Sequence, residues 1–183
     1  MPLSLTFYTV GHVNRTPNEL LELLQSQGVD ILVDIRSAPN SERFPHFCEA
    51  LVRDACAQMG VEYHWAGRQL GGKRLPKPQS RHSAIDDDGL REFGDYMDSE
   101  DFKIGLRQLI GLGENGVTVI LCADRRPARC HCSLIADLLM LRGATVVHHL
   151  DEQEAAVHRL NKSLRRDVIE PIYDRDPPEK ALH

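Results

Sequence analysis

From Cys122 to Ser133 the chain reads CADRRPARCHCS, which packs three of the five cysteines, three arginines and one histidine into a single turn. The apolar run before it reads as a strand and SLIADLLML after it as a helix, so the strand delivers Cys122 to the edge of a sheet. The helix start near His131–Ser133 offers free backbone N–H groups and the positive end of a helix dipole. Helix N-termini and neighbouring cations such as Arg125, Arg126 and Arg129 lower a thiol's pKa and favour the nucleophilic thiolate. The same arrangement binds phosphate or another oxyanion. Cys122, Cys130 and His131 are therefore candidate catalytic residues, and Arg126 and Arg129 candidate substrate contacts. A buried core thiol is the competing reading for Cys122, since cysteine is among the most buried residue types.

Other strands bring companions to the same edge. The first ends in Gly11-His12-Val13-Asn14-Arg15, which places His12 as a catalytic and Asn14 as a binding candidate, with Gly11 allowing close backbone approach to a ligand. The second ends in Asp34-Ile35-Arg36. With period two, Asp34 and Arg36 share a face and either clamp a polar ligand or pair with each other. Cys122, Cys130, His131 and Cys132 are also soft metal donors, although no CxxC pair exists and adjacent ligands suit one tetrahedral ion poorly. No resident metal is expected, and the sequence names no cofactor. Three other signals are set aside. Gly111-Leu-Gly113-Glu-Asn-Gly116 matches GxGxxG but follows a helix instead of a strand. Gly71-Gly72-Lys73 lacks the remainder of a phosphate loop, and Asp86–Asp88 reads as a solvated face.

The elements that must position these residues are legible. Strands are expected at Leu5–Val10, Ile31–Ile35, Val117–Cys122 and Thr145–His148, with Val61–Trp65 a weaker fifth. Thr16, Pro17 and Glu19 form a capping box opening a helix that Gly28 ends. Further helices are expected over Phe47–Met59, Asp101–Leu112 and Cys132–Arg142, and a last one from Asp151 burying Val157, Leu160, Leu164 and Val168. Strands alternating with helices imply an α/β fold: an open, mostly parallel sheet with helices on both faces, a Rossmann-like three-layer arrangement. Such sheets bind ligands outside the carboxyl ends of their strands. Residues 66–95 read as a long polar loop without periodicity, and such loops are functional or disordered. Residues 1–173 are expected to form one domain, with 174–183 a flexible tail.

Composition narrows the function. With 183 residues, 42% hydrophobic and 27% charged, the chain is long enough for a real core and unlike a disordered protein. A net charge of −5 gives no global basic field for nucleic acid. No run approaches the length of a membrane span. An N-terminus without a secretory pattern and an odd set of cysteines point to the cytoplasm.

Taken together, TVGHVNR, LVDIRSAPNSERFPHF, YHWAGRQLGG, FGDYM and LCADRRPARCHCSLIAD resemble the DUF488 family across roughly residues 7–150. The resemblance implies an α/β protein whose motif residues gather at one sheet edge, and it assigns no biochemical role. It marks Gly11, His12 and Asn14; Asp34, Arg36, Pro39, Pro45 and Phe47; Leu70, Gly71 and Gly72; Tyr96 and Met97; and Cys122, Cys130 and His131. Gly71, Gly72 and Tyr96 thereby join the substrate-binding candidates. This chain carries Asp124, a further binding candidate, where the family usually has Glu, and Cys132 where the family usually has Arg. A looser likeness to rhodanese-type sulfurtransferases rests on the Asp-x-Arg strand and the later cysteine turn. A cysteine phosphatase requires arginine six residues after its nucleophile, and here that position is Ala128.

Three functions follow. The first is an enzyme acting on an anionic or phosphate-bearing substrate, nucleotides and nucleic acid included, at the carboxyl edge of the sheet. The second is a non-catalytic nucleotide- or nucleic-acid-binding module using Lys73, Arg74, Lys77 and Arg81, with Tyr63, Trp65 and Tyr96 stacking on bases. The third is a protein supported by structural zinc.

Overall fold

The apolar, β-branched runs assemble into one sheet. In the computed structural model, which describes residues 5–149, 154–166 and 170–175, β1 (Thr6–Gly11), β2 (Ile31–Asp34), β3 (Glu62–Trp65), β4 (Thr118–Cys122) and β5 (Thr145–His149) run parallel. A short strand, β6 (Ala155–Val157), pairs antiparallel to β5 at the edge, giving the order β3-β2-β4-β1-β5-β6. Parallel strands need crossovers, and the helices that supply them cover both faces.

On one face lie α1 (Pro17–Ser26) and α2 (Glu49–Gln58), whose Leu20, Leu23, Leu24, Val52 and Cys56 close over Val10, Leu32, Val119 and Leu121. The other face is covered by α3 (Gly67–Leu70), α4 (Asp88–Tyr96), α5 (Glu100–Asn115) and α6 (Cys132–Leu141), packed on Phe7, Ile31, Val33, Ile120 and Val146. The expected α/β architecture is therefore the observed one. Thr16 caps α1 as its sequence predicts: Glu19 N–H donates to Thr16 Oγ1, and Thr16 N–H donates to the Glu19 carboxylate. A Thr16→Ala variant should lose about 1 kcal/mol of stability in a urea titration, the usual worth of such a cap.

Two expectations change. The helix foreseen from Asp151 does not form over the described residues: Ala155–Val157 is β6, and Val157 is exposed instead of buried. Asp151 and Val168 lie outside the described residues. The open edge of β5 accounts for the change, because Val147 pairs with Val157 and His149 with Ala155, and sheet pairing overrides local helical periodicity. Leu164 is buried as expected, but through a bridge to Tyr173.

The polar stretch 66–95 is only partly loop. It contains α3 and most of α4, whose start is set by Asp87 accepting from Leu90 N–H, with Asp88 in the first turn. The irregular part is tied down: Lys77 Nζ donates to Asp95 O, Ser80 to the Asp95 carboxylate, and Ala84 N–H to Tyr173 O. Of the expected tail, Asp174 is held in an ion pair with Arg165.

Candidate functional site

Where the chain leaves adjacent β1 and β4 in opposite directions, an open α/β sheet has its crevice. Here backbone fills it. His12 N–H donates to Cys122 O and Val13 N–H to Ala123 O, and a Cβ at Gly11 would stand 2.1 Å from Asp124 O. Gly11 thus serves this contact between the two loops. Arg15, buried beneath, donates to Gly11 O and His149 O, while Asn14 takes the left-handed conformation (φ 60°) that Asn tolerates and stays exposed.

The period-two alternation of the strands then divides the candidates between the faces of the sheet. His12, Asp34 and Arg36 lie on the α1–α2 side; Cys122, Thr9 and His148 lie on the α6 side.

On the first side Asp34 and Arg36 pair with each other. Arg36 donates through Nε to Asp34 Oδ1 (2.8 Å) and through Nη2 to Oδ2 (2.6 Å), and Tyr63 Oη donates to Oδ2 (2.7 Å). Arg36 Nη1 donates to Phe47 O, which anchors the 3-10 turn Pro45–Phe47. Burial lowers the Arg36 pKa, but the Asp34 carboxylate outweighs it and the net shift is upward. His12 packs against Phe44 and Phe47 with its Nδ1 unpartnered, and burial, aided by Arg36, lowers its pKa to about 4. It is a neutral imidazole at physiological pH.

On the second side the three cysteines of the turn converge, with their Sγ atoms all within 4.8 Å of one another and all buried. Cys122 Sγ lies 3.6 Å from Cys132 Sγ, and Cys130 Sγ 3.7 Å from His131 Nδ1. Cys130 is drawn well below the ordinary thiol range by the S–H groups of Cys122 and Cys132. Cys122 is pushed up by its contacts with Cys130 and Cys132 and by burial. For Cys132 the contact with Cys122 lowers the pKa, but Cys130 and burial raise it further, and the net shift is upward. His131 packs against Phe93 with the rings tilted by 59°, and a Cβ at Gly72 would lie 2.6 Å from its Nδ1, so glycine at 72 admits the imidazole. Gly71 packs similarly against Gly67 O and Ser37. Asp124 caps the turn by accepting from Arg126 N–H, leaving the Arg126 and Arg129 side chains exposed. Tyr96 donates to Gln69 O and carries the Arg74 guanidinium over its ring at 3.5 Å.

Beside this turn a cleft of about 850 Å³ opens between Pro127–Ala128, α6 and the β5–β6 edge. Its wall contains a hydrogen-bonded chain absent from the sequence-based candidates. Thr9 Oγ1 meets His148 Nδ1 (2.6 Å), His148 Nε2 meets His158 Nδ1 (2.8 Å), and His158 Nε2 meets Asp137 Oδ1 (2.8 Å). Tyr173 Oη donates to Asp137 Oδ2 (3.0 Å), so the buried carboxylate terminates the chain. His148 is lowered to about 4, by burial first and by His158 second. Asp137 closes the motif LCADRRPARCHCSLIAD, one turn after Ser133 on α6, and that i, i+4 spacing was the available signal. His158 carried none, because its segment read as a helix.

The model of the family described as "Domain of unknown function DUF488" matches residues 16–139. The chain belongs to the DUF488 family. No curated protein and no solved structure matches it. The DUF488 match ends on α6 just after Asp137, so it takes in the cysteine turn and the carboxylate while leaving out His148 and His158. No helix among the described residues is long and apolar enough to cross a membrane.

Proposed function

We propose that this DUF488 protein is an enzyme acting on a small anionic, phosphate-bearing substrate in the cleft beside the 122–133 turn. The observation that carries this reading is the Asp137–His158–His148 chain set in the cleft wall with cationic side chains at its rim. Arg126 and Arg129 flank the lining residues Pro127 and Ala128, and Arg159 lines the cleft itself; all three are exposed, and none pairs with a carboxylate among the described residues. The volume is that of a small-molecule site. Ser133, in the first turn of α6, adds a hydroxyl to the lining, and the positive end of that helix favours an anion.

A buried carboxylate behind a histidine fixes its tautomer and its ring orientation, as acid–base chemistry on the substrate requires. With Asp137 ionised, His158 donates to it from Nε2 and accepts from His148 Nε2–H at Nδ1, and His148 Nδ1 accepts from Thr9. In that arrangement both ring nitrogens of each histidine are engaged, so a proton is exchanged with the substrate at His158 Nδ1 only when the His148–His158 contact opens toward the cleft. The nucleic-acid reading receives less support, because Lys77 and Arg81 are spent on Asp95 O, Asp98 and Glu170, Arg74 covers Tyr96, and Tyr63 is buried on Asp34.

Thermal unfolding and calorimetry with inorganic phosphate and a nucleoside monophosphate test the reading, alongside turnover of p-nitrophenyl phosphomonoester and phosphodiester probes. Ligand at about 100 times its Kd should stabilise the protein by about 2.7 kcal/mol. An Arg126→Glu/Arg129→Glu variant should bind at least about tenfold more weakly with unchanged ligand-free stability. A His158→Gln variant should keep binding and lose turnover. Equal affinity in the arginine variant, or no ligand effect on the parent, would sink the proposal.

A further inference from the structure

We infer that Cys122, Cys130 and Cys132 together hold a zinc ion that ties the end of β4 to the start of α6. Among the described residues this is the one group of three potential metal donors that closes to within 4.8 Å, and all three are buried. In a tetrahedral site with Zn–S near 2.3 Å, two sulfurs sharing the ion stand about 3.8 Å apart. The Cys122–Cys132 separation of 3.6 Å fits that edge. It is far from the roughly 2.05 Å of a disulfide.

Spacing had argued against a shared ion, because Cys130 and Cys132 are separated by one residue. The backbone removes the objection. Cys130 is extended (φ −117°, ψ 140°) and His131 is already helical (φ −58°, ψ −18°), so the chain reverses between them and brings both sulfurs to Cys122. The sulfurs otherwise have poor company. Besides Cys130 and Cys132, Cys122 Sγ meets Val10 O at 3.6 Å and Asp124 O at 3.5 Å, and a thiol is a weak donor and a weak acceptor.

His131 is the nearest further donor, but it does not close on all three sulfurs as they close on one another. Its Nδ1 stands 3.7 Å from Cys130 Sγ, close to the nitrogen–sulfur edge of about 3.6 Å in such a tetrahedron, so a turn of the ring toward the cluster would complete the donor set. Three thiolates with one imidazole is a structural zinc donor set, and soft sulfur ligands select against calcium and magnesium. Loading exchanges the protons still held by the three sulfurs for the divalent ion and needs no oxidant. The third sulfur comes from Cys132, where the family resemblance anticipates arginine, so the site belongs to this chain and is not a property carried over from the family. It stands independently of the proposed reaction in the neighbouring cleft.

The test uses the full chain, purified under reducing conditions, stripped of metal and titrated with zinc or cobalt(II). One equivalent per chain should bind, cobalt should give a thiolate-to-metal charge-transfer band of the strength of three sulfur ligands, and zinc should raise the thermal midpoint. Cys132→Ser should weaken zinc binding by more than about 100-fold, beyond what loss of an outer-shell partner costs. Cys48→Ser, remote from the cluster, should change nothing. Absence of the cobalt band, sub-stoichiometric zinc, parent-like affinity in Cys132→Ser, or a Cys122–Cys132 disulfide recovered in place of metal would each overturn the inference. Should Cys132→Ser fail to fold, the cobalt spectrum of the parent decides alone.

Discussion

An Asp34→Ala variant should unfold about 3–5 kcal/mol more easily than the parent, because it strands a buried guanidinium whose partner has gone. Asp34 is fully buried and Arg36 nearly so. The carboxylate accepts from Arg36 Nε, Nη2 and backbone N–H and from Tyr63 Oη, while Arg36 reaches on to Phe47 O. Removing the carboxylate therefore loosens β2, β3 and the turn before α2 at once. Arg36→Ala should cost a similar amount by leaving Asp34 buried and unpaired. Replacing both with apolar residues should cost less than either single change, since the pair itself repays little beyond its own desolvation. Urea titrations followed by far-ultraviolet circular dichroism measure all four proteins. The same experiment separates a structural clamp from a ligand clamp: a loss under 1 kcal/mol with a collapse of phosphate affinity would return Asp34 and Arg36 to the substrate.

That pair shows how far sequence reasoning reaches. Alternation within the strand placed Asp34 and Arg36 on one face and left two roles open; only the arrival of Tyr63 and Phe47 from elsewhere favours the clamp. The sheet, the Thr16 cap and the α5 and α6 helices were legible because periodicity and capping are local. Expecting His12, Asp34 and Cys122 to meet was less secure. All three reach the carboxyl edge, but alternation within each strand does not say which face of one strand matches which face of the next. The cysteine cluster was half visible. Its residue types stood out, while its closure depends on the backbone angles at Cys130 and His131. The Asp137–His158 link was invisible for a different reason, since the segment carrying His158 is fixed by pairing to β5 and not by its own propensity.

Acidification should weaken the fold well before its carboxylates are titrated. His12 and His148 are both lowered from 6.5 to about 4, chiefly by burial, and His82 and His149 move in the same direction for the same reason. Between those values the unfolded chain binds a proton that the native imidazole refuses, so stability is full above about pH 6.5 and drains as the pH falls toward 4. Each such histidine tilts stability by up to about 1.4 kcal/mol per pH unit. After allowance for partial solvent access, His12 and His148 together should remove about 3 kcal/mol between pH 7 and pH 5. Urea midpoints at pH 7, 6 and 5 read this directly, and a profile flat across that range would refute it. His12→Leu separates the contributions. The substitution suits the apolar contact with Phe44 and Phe47 and takes away a titrating group, so whatever it does to stability at pH 7, the fall toward pH 5 should shrink by about half of the share that His12 and His148 carry together. His148→Gln should flatten the profile by a comparable amount while breaking the chain to His158, so it alone of the two variants should also lower turnover in the cleft.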